Sequence, residues 1–147
     1  MKPNKIVSVK AKKAWYLPSS ILAITWFGII YCKTREYADS INSTTVIDTV
    51  LKSHETIHVR QAETMNNSWF RFYMRYIWEW IKNLPLITIN SWAPYRFMPI
   101  EMEAYNHEYN YDYANSGKVG EWREFEKLTL KEKRELAKEY YKSRKEH

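Results

Sequence analysis

Three glycines and five prolines in a chain of 147 residues leave too few turn formers for an all-β fold, so helices must dominate. The apolar share of 45% against 27% charged is a globular balance rather than a disordered one. Seven Trp, twelve Tyr and five Phe make large rings the main core material. The length suits one domain, with or without a tail. The sole cysteine, Cys32, has no partner for an internal disulfide, which excludes a disulfide-stapled secreted domain.

The formal charge of +6 is concentrated at the ends, on Lys2, Lys5, Lys10, Lys12 and Lys13 and on Lys138, Lys142, Arg144 and Lys145. No zinc-finger spacing, ribonucleoprotein motif or phosphate loop accompanies it, so nucleic acid is not an expected partner. Between Lys13 and Lys33 the chain is uncharged. Pro18, Ser19, Ser20, Thr25 and Gly28 dilute that run below what a membrane span needs. Its β-branched and aromatic residues predict a buried strand pair or hairpin bent near Gly28. No small-x-small cleavage site follows, so no signal peptide is expected and the compartment is read as cytoplasmic.

Residues 34–45 read as a loop, and Thr45 with Asp48 resembles a helix-capping pair. Val46, Ile47, Val50, Leu51 and Ile57 then predict an amphipathic helix to about Met65. Phe72, Tyr73, Tyr76, Ile77, Trp80, Ile81 and Leu84 form one stripe of a second helix, ended by Pro85. That stripe reads as core; the sharper alternative is an aromatic helix lying on a membrane surface. A loop with an extended run Leu86–Ile89 follows, then a third helix from Pro99 to Gly117 or Gly120. Thr129 and Glu132 form a capping box for a last helix, Leu130 to about Lys145, of which Leu130, Leu136 and Tyr140 or Tyr141 are the packing candidates. The expected fold is α+β and mostly helical, with a short β-hairpin or strand pair packed on the first helix. The expected organisation is a basic segment (1–13), a domain (14–116) and a charged helical extension (117–147).

The chemistry sits in His54-Glu55-Thr56-Ile57-His58. Residues four apart on a helix share a face, so the two imidazoles can grip one zinc ion. With three protein ligands zinc keeps a fourth position for water and makes its proton easier to lose. Glu55, beside the first ligand, is placed to take that proton. Such a string arises by chance in only about one chain in a few hundred of this length. The third ligand must come from elsewhere, and Glu101, Glu103 and His107 on the third helix compete for the role. A di-iron centre would need a second Glu-x-x-His pair, whereas Glu103 and His107 are four apart.

His-Glu-x-x-His followed on a later helix by Glu-x-x-Ala (Glu101 to Ala104) resembles the gluzincin metallopeptidases, and by that resemblance Glu101 is the third zinc ligand. Tyr105 stands where many such families carry Asp or Asn. A wider resemblance takes in His54 to Gln61, Phe72 to Tyr76, Tyr95-Arg96 and Pro99 to Tyr105. It is to small single-domain proteins of bacteria and their phages usually described as candidate metallopeptidases, and it covers roughly residues 20 to 113. It implies a minimal zincin-like domain that binds one zinc ion and hydrolyses peptide or amide bonds in a peptide or protein substrate. Gln61, Glu63 and Glu108 are candidates to orient a ligand from behind, and Tyr95, Arg96 and Tyr105 candidates to steady an oxyanion. The alternatives are a non-catalytic metal-binding or interaction scaffold, phage-related by the same resemblance, and a protein attached to a membrane surface.

Overall fold

Among the described residues the first long helix starts where Thr49, in extended conformation, accepts the Lys52 amide on its hydroxyl at 3.2 Å. Thr49 is thus the cap instead of the expected Thr45, and helix α1 runs Val50–Thr64. Val46 is left exposed ahead of it. This computed structural model describes residues 46–145 and, by backbone, three short strands at 11–13, 23–26 and 29–32. The expected bend at Gly28, the loop 34–45, the Thr45 position and most of the run 14–32 lie outside the described residues.

The strands β1 (Ala11–Lys13), β2 (Ala23–Trp26) and β3 (Ile29–Cys32) form one sheet in the order β1-β3-β2. β3 runs parallel to β1 and antiparallel to β2, with Ala23 opposite Cys32 and Trp26 opposite Ile29. The rest is mostly helical. After α1 come α2 (Trp69–Asn83), a 3-10 turn (Leu84–Thr88), α3 (Ala93–Arg96) and α4 (Pro99–His107). A second 3-10 turn (Tyr113–Asn115), α5 (Trp122–Phe125) and α6 (Leu130–Lys145) complete the described chain.

Several boundaries differ from the periodicity reading, each for a local reason. Pro85 lacks an N–H but fits the first turn of a helix, so it opens a 3-10 turn where an extended run was expected. α4 stops at His107, well before Gly117, because the Asn110 side chain accepts the Asp112 amide and turns the chain. The capping box of α6 forms in both directions: Glu132 N–H donates to Thr129 Oγ1 at 3.2 Å and Thr129 N–H to Glu132 Oε2 at 2.7 Å.

The packing face of α2 is also redrawn. Phe72 is buried and Tyr73 and Tyr76 pack on the core, but Ile77, Trp80, Ile81 and Leu84 face outward. The edge turned inward instead carries Glu79 and Asn83, both buried, which meet Lys133 of α6. Lys133 Nζ donates to Asn83 Oδ1 at 3.1 Å and lies 3.6 Å from Glu79 Oε2. Correspondingly, α6 packs through Lys133, Ala137, Tyr140 and Tyr141, the two rings meeting Phe97, whereas Leu130 and Leu136 are exposed.

α1 lies at the centre. Lys52 to His58 and Arg60 to Ala62 are all buried, which for a helix usually means an apolar surface all round. Here most of those residues are polar, so each needs a partner inside the protein. Ile57 packs on Ala104, Tyr113 and Ala114, and Ala62 and Met65 pack on Phe72, Ile100 and Trp122. α1 and α4 thereby lie side by side at the middle of the molecule, and the buried polar groups collect between them.

Candidate metal centre

His54 and His58, one turn apart on α1, bring their Nε2 atoms to 3.2 Å from each other. Glu101 of α4 closes the group, with Oε2 at 3.3 Å from His54 Nε2 and Oε1 at 3.3 Å from His58 Nε2. All three residues are buried, and their ligand atoms lie within 4.8 Å of one another.

The other ring nitrogens fix which atoms face the centre. His54 Nδ1 meets Glu108 Oε2 at 2.8 Å, and a carboxylate accepts, so that nitrogen carries the proton. Gln61 settles His58. Its Nε2 donates to Ile100 O at 2.9 Å and to Glu103 Oε2 at 2.8 Å, which leaves Oε1 to accept from His58 Nδ1 at 2.8 Å. Both imidazoles therefore present an Nε2 lone pair to one point, beside a carboxylate. Such a gathering of electron pairs asks for positive charge. Burial alone would lower the His54 pKa, yet Glu101 and Glu108 push it up to about 10. His58 is raised too, against the same opposing burial. Burial would raise Glu101, and the two histidines hold it well below the usual carboxylate range.

The fit to a divalent ion rests on the donor set and on one orphaned atom. Two imidazoles and a carboxylate suit zinc. Glu101 Oε2 is fully buried and accepts no hydrogen bond, a costly state for a carboxylate oxygen unless a cation meets it.

Glu103 does not join the group. Its carboxylate accepts from Gln61 Nε2, from the Tyr113 hydroxyl at 2.8 Å and from the backbone N–H groups of Gly120, Glu121 and Trp122 at 2.7, 2.9 and 3.3 Å. It holds the chain entering α5 and has no lone pair to spare. Gly120 sits there at φ +142°, where a Cβ would also meet the Arg123 guanidinium at 2.7 Å. His107 turns away, pairing with Glu121 and stacking on Tyr113 at 3.7 Å. Glu63 pairs with Arg60 rather than with an imidazole.

Glu55 is buried beside His54 on α1, and its charge is among those that raise the pKa of His54, His58, Tyr76 and Tyr95. Three phenols gather there. The Tyr76 hydroxyl reaches Glu101 Oε1 at 3.4 Å, Tyr105 lies edge-on to the His54 ring at 4.7 Å, and Tyr95 interacts with both tyrosines. Burial first, then the Glu101 charge, pushes all three phenols above their ordinary range, so they remain O–H donors. Arg96 lies over the Tyr105 ring at 4.1 Å and the Tyr140 ring at 4.8 Å, behind the phenols. Tyr76 is the residue that motif reasoning passes over, since its position marks it only as one of a stripe of packing rings.

Comparison with protein-family models, curated proteins and solved structures finds no match for this chain. Among the described residues no helix is long and apolar enough to cross a membrane.

Proposed function

We propose that this chain is a zinc-dependent hydrolase of peptide or amide bonds, built as a minimal zincin-like domain. The observation that carries the reading is the convergence of His54 Nε2, His58 Nε2 and a Glu101 oxygen on one buried point, with Glu55 beside it. The zincin-like arrangement draws further support from β2, which approaches the helix that carries both histidines.

His54, His58 and Glu101 hold the ion, Glu108 and Gln61 fix the two rings from behind, and Glu103 fixes Gln61. Bound there, zinc supplies Lewis acidity to a water and to the substrate carbonyl. Glu55 takes the proton of the attacking water and passes it to the leaving nitrogen. The tyrosine hydroxyls, held protonated, donate to the carbonyl oxygen as charge builds on it.

The burial of all four residues favours a second reading, a metal-stabilised scaffold whose phenols close the fourth position. Metal analysis together with a peptide-library assay separates the two. The hydrolase binds one zinc per chain and cleaves; Glu55→Gln keeps the zinc and loses about a hundredfold or more in turnover; His58→Ala loses the zinc. Stoichiometric zinc with no cleavage by the wild type makes the scaffold reading the correct one, and an absence of zinc removes both.

A further inference from the structure

α2 is more apolar on its outer face than a core helix needs to be. Its inward side holds Phe72, Tyr73 and Tyr76 but also the buried Glu79 and Asn83, and its outward arc holds Phe70, Met74, Ile77, Trp78 and Ile81, successive steps of one face. Phe70 is 71% exposed and Trp78 58%. The arc runs the length of the helix, about 22 Å at 1.5 Å per residue, and continues through the exposed Ile87 of the 3-10 turn. An apolar face of that extent is uncommon on a monomer unless something covers it.

The charges beside the arc narrow the choice of cover. From Trp69 to Trp92 the basic side chains are Arg71, Arg75 and Lys82; Arg75 pairs with Glu126, and the buried Glu79 is shared by Lys82 at 2.6 Å and Lys133 at 3.6 Å, so Arg71 and one of those two lysine charges stay uncompensated. Arg71 and Lys82 border the arc on one side, with Lys82 Nζ 5.8 Å from the Trp78 ring centroid. Two copies meeting face to face through this arc would set like charges against each other. An anionic lipid surface matches both features: apolar and indole side chains enter the interface, and the cations reach headgroup phosphates.

We propose that the outer face of α2 docks the protein on an anionic lipid bilayer, lying in the interface plane. This does not depend on hydrolysis: the metal group meets the inner face of α2, through Tyr76 and Phe72, and the docking arc is the outer face.

Flotation of the full chain tests it, with vesicles of phosphatidylcholine alone and with roughly one third phosphatidylserine. Wild type floats with the anionic vesicles, and Ile77→Glu/Trp78→Glu lowers the bound fraction about tenfold or more. Both side chains are exposed, so circular dichroism and thermal unfolding of that variant remain those of the wild type. Arg71→Glu, which leaves the Lys82–Glu79 pair in place, weakens the preference for anionic lipid. Brominated lipids quench the wild type more strongly than Trp78→Phe. Wild type that floats with neither vesicle overturns the proposal, as does flotation that the Ile77/Trp78 variant leaves unchanged. So does a wild-type dimer, seen by sedimentation, that the same variant dissociates.

Discussion

Glu101 and Glu103 stand two residues apart on α4, both buried, and their surroundings divide their work. Glu103 has five donors for roughly four lone-pair sites, whereas Oε2 of Glu101 has none. Glu103→Ala should therefore act on folding. It strands three buried or half-buried backbone amides and should cost about 3 kcal/mol in urea unfolding, while zinc at saturation stays at one per chain. Glu101→Ala should do the reverse, abolishing zinc binding with a smaller effect on the metal-free fold. Behind the rings, Glu108→Gln and Gln61→Leu should each weaken zinc affinity about 10- to 100-fold in a competition titration with a chelator. The His-Glu-x-x-His spacing makes the two imidazoles legible, because four residues on a helix is a geometric statement. It also points to Gln61, one turn further on. The choice between Glu101 and Glu103 was not legible from spacing, since α4 is buried on both faces and only their partners distinguish them, the α1 histidines for Glu101 and Gln61, Tyr113 and the chain at 120–122 for Glu103. Only the gluzincin resemblance singled out Glu101.

At the level of elements, the turn from α1 to α2 puts Asn66 and Asn67 at φ +60° and +55°, a left-handed pair that lets Ser68 cap the next helix. Asn66→Val should cost about 1–2 kcal/mol of stability and Asn66→Gly close to nothing, a contrast readable in paired thermal melts. The α2–α6 contact offers a second test. Burial lowers the pKa of Lys133 and the Glu79 charge works against that shift, so each ion makes the burial of the other tolerable. Removing either alone, by Glu79→Leu or Lys133→Met, should destabilise by about 3 kcal/mol, and the double variant should lose well less than the sum of the two. Periodicity located α2 and α6 and rightly put Phe72, Tyr73, Tyr76, Tyr140 and Tyr141 against the core, but wrongly turned Ile77, Trp80, Ile81, Leu84, Leu130 and Leu136 inward. It assumes that the apolar arc points inward, and in α2 the buried edge is set by Lys133, fifty residues later in the chain. The box at Thr129 and Glu132 was legible because both partners lie within one turn.

For the molecule as a whole, the ligands come from the two helices that form its centre. A metal there should act as a structural cross-link as well as a reagent. Without it, the folded state holds two imidazoles and a carboxylate crowded together in a buried space, whereas the unfolded chain gives all three to water. An ion that binds only the folded state stabilises it by RT ln(1 + [L]/Kd), about 2.7 kcal/mol at a hundred times Kd. For a chain of this length that corresponds to a rise of about 8 °C in Tm. Calorimetry with zinc, and again after chelation, should show that shift. Glu55→Gln should show it in full, since Glu55 holds no metal, and His58→Ala should show none. An equal rise in His58→Ala would place the ion elsewhere and leave the polar centre of α1 a matter of packing instead of chemistry.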